Sequence, residues 1–130
     1  MIRNATGTGL GFRRELLPEM RHADLSGIDF FEVAPENWAG QGGRAHRQLR
    51  EYSERFPFVC HGLSLSIGSS DGLDVELLKR TRSFMASHGI GLYTEHLSWC
   101  SHEGHLYDLL PIPCTAEAVH WVADRIKRAQ

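Results

Sequence analysis

The feature that most constrains this chain is a fourfold alternation of short β-branched or aromatic runs with longer amphipathic ones. Thr8 to Phe12 is a short, glycine-rich apolar segment that predicts a first strand. A short helix follows within Arg13 to Ala23, with Pro18 suited to its first turn, where a missing N–H costs nothing. Asp29 to Val33 reads as a buried second strand. Gly42-Gly43 then opens a helix whose apolar residues Ala45, Leu49, Tyr52 and Phe56 share one face, and Pro57 ends it. Phe58 to Leu63 is the third strand. Asp74 suits the N-cap of the next helix, which carries Leu77, Leu78, Phe84 and Met85, and Gly89 suits its C-terminal turn. Leu92 to Trp99 reads as the fourth strand, and Ser101 to Pro113 as a polar excursion. Thr115 caps a last helix with a predicted buried stripe of Ala118, Val119, Val122, Ile126 and Ala129.

This order is (βα)4. Strands that alternate with helices imply α/β architecture, a parallel sheet and right-handed crossovers. Two arrangements fit: a small open doubly wound sheet, or the N-terminal half of a TIM-type (β/α)8 barrel, whose full length is roughly 250 residues. The chain has 130 residues, about half of that, and we read residues 1–130 as one partial barrel domain.

Composition excludes several classes. Hydrophobic residues make up 42% and charged ones 23%, which supports a buried core and argues against disorder. The formal net charge is −2 with basic residues dispersed, so no nucleic-acid footprint stands out. No apolar run is long enough to span a bilayer. Met1 to Thr6 shows no apolar signal-peptide region, and three widely spaced cysteines, Cys60, Cys100 and Cys114, fit a reducing compartment; both lead us to expect a cytoplasmic protein.

The chemistry-bearing residues fall at predicted strand ends, where parallel α/β folds build their active sites. The second strand runs into Glu32, Glu36 and Asn37, the third ends at His61, and the fourth carries Glu95 and His96. Side chains alternate faces along a strand, so His61 and His96 can share one face, whereas Cys60 faces away and reads as a packing residue. Two imidazoles and a carboxylate are a common donor set for zinc, iron or manganese. Each residue also has a plainer reading. A strand-end histidine beside glycine often binds only a loop, and Glu95-His96 can be an internal polar pair. His22, His46, His88 and His120 fall on predicted helices as surface or packing residues, and His102 and His105 in a solvated loop. The glycines around Gly7-Thr8-Gly9 lack the spacing of a phosphate loop or a dinucleotide fingerprint.

The segments GTGLGFRREL, DFFEVAPENW, HGLSLSIGS, TEHLSW and GHLYDLLPIPCTAEAV, in this order, resemble the bacterial multinuclear non-heme iron-dependent oxidase family, which includes the oxidase of methanobactin biosynthesis. The resemblance covers nearly the whole chain. It implies a TIM-type barrel with two or three iron ions at its C-terminal rim. It also implies oxygen-dependent modification of ribosomally made peptides, often with a partner protein that presents the peptide. By the same resemblance His61 and His96 match metal ligands. Glu36 and Asn37 match an EN pair and Asp108 the aspartate of a DLLP motif, all near the rim, with Glu32 and Glu95 as groups that orient ligands.

In the family further ligands follow, beginning with a glutamate in an ENPSS-like strand, and none lies before Gln130. The leading expectation is therefore a partial oxidase domain, inactive alone or completed by another chain. One alternative is a metal-dependent barrel enzyme of the xylose-isomerase type, against which the HGLSLSIGS and DLLPIP segments argue. The other is a non-catalytic half-barrel or gene remnant that self-associates through its exposed edges.

Overall fold

The computed structural model describes residues 5–130, so Met1 to Asn4 of the stretch read above for a signal lie outside the described residues. Four strands, Gly9–Gly11 (β1), Phe30–Val33 (β2), Phe58–Gly62 (β3) and Tyr93–Glu95 (β4), form one parallel sheet in the order β1-β2-β3-β4. Between them lie α1 (Leu17–Met20, preceded by a 3-10 turn at Arg14–Leu16), α2 (Pro35–Trp38), α3 (Gly43–Arg55) and α4 (Val75–His88). Sequential strand order with crossovers of one hand puts the connecting helices on one face of the sheet, as in half of a TIM barrel. A doubly wound sheet needs a reversal of strand order, and there is none among these four strands.

Period-two alternation divides the strands between two faces. Phe31, Val33, Phe58 and Cys60 point to the helices and are buried with Phe12, Trp38, Leu49 and Tyr52. Phe12 meets Phe31 and Phe58 edge-on, at centroid distances of 5.5 and 5.2 Å. Each such side chain taken fully out of water contributes about 1.5–3 kcal/mol. In the register, Glu32 lies opposite Val59 and His61 opposite Thr94, which places these residues on the other face.

Helix ends follow local chemistry. Asp74 Oδ1 accepts the Leu77 N–H at 2.8 Å, and Gly89 takes a left-handed φ of +66° after α4. Phe56 adopts extended backbone before Pro57 and stops α3. Thr115 Oγ1 accepts the Ala118 N–H at 3.2 Å to begin α5 (Ala116–Ala129).

Three expectations are corrected. The run Leu92 to Trp99 is not one strand. It ends at Glu95, and Ser98–Ser101 (β5) pairs antiparallel with His105–Pro111 (β6), so the supposed polar excursion holds a strand. The cause is capture of backbone donors. Glu95 Oε1 takes the His96 N–H, and Ser66 Oγ takes those of Cys100 and Ser101, which ties β5 to the loop after β3. Next, α2 was not anticipated; Pro35 at its start pre-sets the helical φ. Finally, α5 buries only part of the predicted stripe. Val119 is 66% and Ile126 42% exposed, whereas Val122 and Arg125 are buried. The guanidinium of Arg125 donates to the carbonyls of Ile67 and Asp71 at 2.8 and 2.6 Å, and to that of Ser66. Buried carbonyls require donors, and this demand turns the Arg125 face of α5 inward and leaves Val119 and Ile126 outside. Val122 then packs with Leu65, Ile67 and Leu77 in a second small core. Among the described residues no helix is long and apolar enough to cross a membrane.

Candidate functional site

A cavity of about 740 Å3 opens at the C-terminal ends of the strands and is bordered by Glu32, Glu36, Asn37, His61 and His96. β2 supplies Glu32, α2 supplies Glu36 and Asn37, β3 supplies His61, and His96 follows β4. The two imidazole rings stand 4.4 Å apart between centroids at an interplanar angle of 53°.

Hydrogen-bond partners assign the ring protons. His96 Nδ1 lies 2.9 Å from the Gly62 carbonyl oxygen. A carbonyl only accepts, so Nδ1 carries the hydrogen and the neutral ring keeps its lone pair on Nε2. His61 Nδ1 lies 2.8 Å from Thr94 Oγ1, and that hydroxyl donates to the Cys60 carbonyl at 3.4 Å. With its one hydrogen used, Thr94 accepts from His61, and the His61 lone pair is also on Nε2. Both rings are thus held as the same tautomer through the nitrogen nearer the backbone.

Behind the rings lies a polar brace. Glu95 Oε2 accepts the Tyr93 hydroxyl at 2.6 Å and the Leu65 N–H at 3.3 Å, while Oε1 accepts the His96 N–H at 2.9 Å. Burial, and then the Glu95 contact, raise the Tyr93 pKa, so the phenol keeps its proton. A Cβ at Gly62 would collide with the Tyr93 hydroxyl and Glu95 Oε2, so a larger residue where the carbonyl meets His96 must push this brace aside.

Glu36 differs from Glu95. Its Oε1 accepts the N–H groups of Leu63 and Ser64 at 2.7 and 3.1 Å, whereas Oε2 is buried without a hydrogen-bond partner among the described residues. Beside it, burial and then the Glu36 charge push the Cys60 thiol up to about 12, which makes it a packing group rather than a nucleophile. Glu32 and Asn37 are exposed on the rim; the Asn37 carbonyl accepts from Arg14, whose guanidinium lies 5.0 Å from the Trp38 ring. Asp108 sits instead on β6, exposed, in the separate hairpin.

Two Nε2 lone pairs and one unpartnered carboxylate oxygen are donor types that suit a borderline divalent metal. Their placement falls short, because among the described residues no group of three His, Cys, Asp or Glu side chains is positioned to hold one. Thr94, Tyr93 and the Gly62 carbonyl were not singled out from the sequence. Thr94 had a signal, since it shares the strand face of His96, but the Gly62 carbonyl had none.

Over residues 7–130 the chain matches the family described as RiPP precursor modification enzyme MbnB/TglH/ChrH. It is 60% identical over 122 residues to a UPF0276 protein of Nitrosospira multiformis, covering 94% of this chain and 43% of that one. It is 54% identical over 130 residues to a UPF0276 protein of Alcanivorax borkumensis, covering 96% of this chain and 44% of the relative. A UPF0276 protein of Pseudomonas aeruginosa is 51% identical over 125 residues, with coverage of 96% and 44%. The chain thus spans less than half the length of these relatives.

Proposed function

The chain belongs to the RiPP precursor modification enzyme family MbnB/TglH/ChrH, and from that premise we propose that it carries part of the iron site of an oxidase acting on ribosomally made peptides. The observation that carries this reading is the pair of imidazoles, 4.4 Å apart and held with Nε2 free of the backbone. A metal-binding histidine characteristically gives its other ring nitrogen to a carbonyl or hydroxyl, which fixes both orientation and tautomer.

His61 and His96 would hold iron through Nε2, with Glu36 in the wall of the same cavity. Bound iron would supply redox chemistry with dioxygen. Thr94, the Gly62 carbonyl and the Glu95 brace keep the imidazoles in place, and Glu32 and Asn37 on the rim meet the incoming peptide. Asp108 would join the rim only with the hairpin turned toward it. The remaining ligands belong to the part of the relatives that this chain does not span, so catalysis needs that part, in the same or another polypeptide. Exposed Leu97 and Ile126 support such a completion, because they leave apolar surface beside β4 to be covered. A separate partner protein that presents the peptide fits the same reading.

The test compares the 130-residue chain with a protein extended to the length of its relatives. Each is loaded anaerobically with ferrous iron, its metal content is measured, and a cysteine-containing precursor peptide is followed by mass spectrometry after oxygen is admitted. The extended protein should hold more than one iron and change the peptide mass, and His61→Ala or His96→Ala should abolish both effects. Full metal loading and activity in the double alanine variant would overturn the assignment.

A further inference from the structure

One peptide unit lies between Glu36 and His96. The Gly62 carbonyl oxygen is 2.9 Å from His96 Nδ1 and accepts its hydrogen. The N–H at the other end of the same unit, that of Leu63, donates to Glu36 Oε1 at 2.7 Å. A peptide unit is planar and turns as one body. Whatever fixes the Leu63 N–H therefore also aims the Gly62 carbonyl. Glu36 does so from a rigid seat. Pro35 before it is fully buried and Trp38 in the same short helix is 4% exposed, so α2 is set in the core while the Glu36 carboxyl reaches the turn after β3. The same Oε1 accepts the Ser64 N–H at 3.1 Å, and Glu95 Oε2 accepts that of Leu65 at 3.3 Å. Three successive N–H groups are thus taken by two carboxyls from different elements, which leaves the turn little freedom. Polarity acts in the same direction. An N–H held by a charged acceptor makes a short, strong bond, and in a chain of hydrogen bonds each one polarises the next. Negative charge at the N–H end of the unit enriches its carbonyl oxygen, the atom to which His96 donates.

We propose that Glu36 is a positioning residue for His96 that acts through the Gly62–Leu63 peptide: it aims and polarises the carbonyl that keeps the ring in its Nδ1–H form. The arrangement lengthens by one peptide the pattern in which a carboxylate orients a metal-binding histidine. It rests on the iron-site reading above and deepens it, because a ring held this way keeps its lone pair on Nε2. It also gives Glu36 a task other than ligation. His61 lies outside the relay, since Thr94 holds its ring.

Nitrogen-15 imidazole spectra of the metal-free chain, taken at about pH 8 and so above the ordinary histidine range, test the relay. Wild type should show both His61 and His96 as the Nδ1–H tautomer. Glu36→Gln keeps an oxygen for the Leu63 N–H but no charge, so His96 should stay Nδ1–H with its Hδ1 resonance moved upfield, the sign of a weaker bond. Glu36→Ala should release the His96 ring into exchange between tautomers. His61 should remain Nδ1–H in both variants. An unchanged His96 in both variants overturns the proposal, and so does release of His61 together with His96, which would mark a general loosening of the site. Should Glu36→Ala not fold, the Hδ1 shift in Glu36→Gln decides alone. No metal enters the measurement, so a chain that binds no iron would overturn the iron reading and leave this result to stand by itself.

Discussion

Thr94 Oγ1 lies 2.8 Å from His61 Nδ1, directly across the parallel pairing of β3 and β4. Because that hydroxyl donates to the Cys60 carbonyl, it accepts from His61 and holds the ring as the Nδ1–H tautomer. Thr94→Val keeps the shape and removes the acceptor. On the proposed metal reading, divalent-metal affinity should fall by about 10–100-fold, the range typical of lost ligand-orienting contacts, and Thr94→Ser should restore it. Nitrogen-15 shifts of the metal-free protein should show His61 changing tautomer in the valine variant alone. An unchanged tautomer would remove Thr94 from this role.

Gly62→Ala tests the brace behind His96. The added methyl meets the Tyr93 hydroxyl and the Glu95 carboxylate. Overpacking of this kind costs about 1–3 kcal/mol, so the urea midpoint should fall measurably. A midpoint equal to wild type would mean that the brace yields freely.

Arg125 is 2% exposed and donates to the carbonyls of Ser66, Ile67 and Asp71. Arg125→Met preserves much of the stem and leaves these acceptors without a donor. We expect a loss of about 3 kcal/mol or more, from the lost charge-assisted bonds and the orphaned groups together. Hydrogen exchange should speed up first in the loop after β3. If protection there is unchanged, α5 is anchored by Val122 rather than by Arg125.

His88 sets a pH dependence. Its pKa falls from 6.5 to about 4 on folding, through burial and then the charges of Arg50 and His46. Between those values the unfolded chain binds more protons, so stability is full above pH 6.5 and declines as pH falls toward 4. At about 1.4 kcal/mol per pKa unit the loss reaches up to about 3 kcal/mol. Urea unfolding of wild type and His88→Gln at several pH values measures it. The variant should lose this slope, and equal slopes would place the titration elsewhere.

Thiol reactivity separates the three cysteines. Cys60 and Cys100 are buried, and Cys114 is exposed. With the Cys60 thiol held near 12, a thiol reagent at mildly alkaline pH should label Cys114 alone until denaturant is added. Rapid labelling of Cys60 in the native protein would contradict its place in the core.

Period and punctuation in the sequence were enough to determine the (βα)4 order, the Asp74 and Thr115 caps, the stop at Pro57 and the core face of α3. These are local effects, set by spacing and by the conformational limits of proline and glycine. Alternation along β3 and β4 likewise put His61 and His96 on one face, and the family motifs singled them out. What the chain alone could not specify depends on partners distant in sequence. The strand after Glu95 breaks because Ser66, more than 30 residues upstream, captures the Cys100 and Ser101 N–H groups. α5 turns Val119 and Ile126 outward because loop carbonyls more than 50 residues away draw Arg125 inward. The ring protons of the two histidines are set by a threonine hydroxyl and a glycine carbonyl that only parallel pairing brings beside them. Hydrophobic spacing is written along the chain; the satisfaction of buried polar groups is settled only when the fold closes.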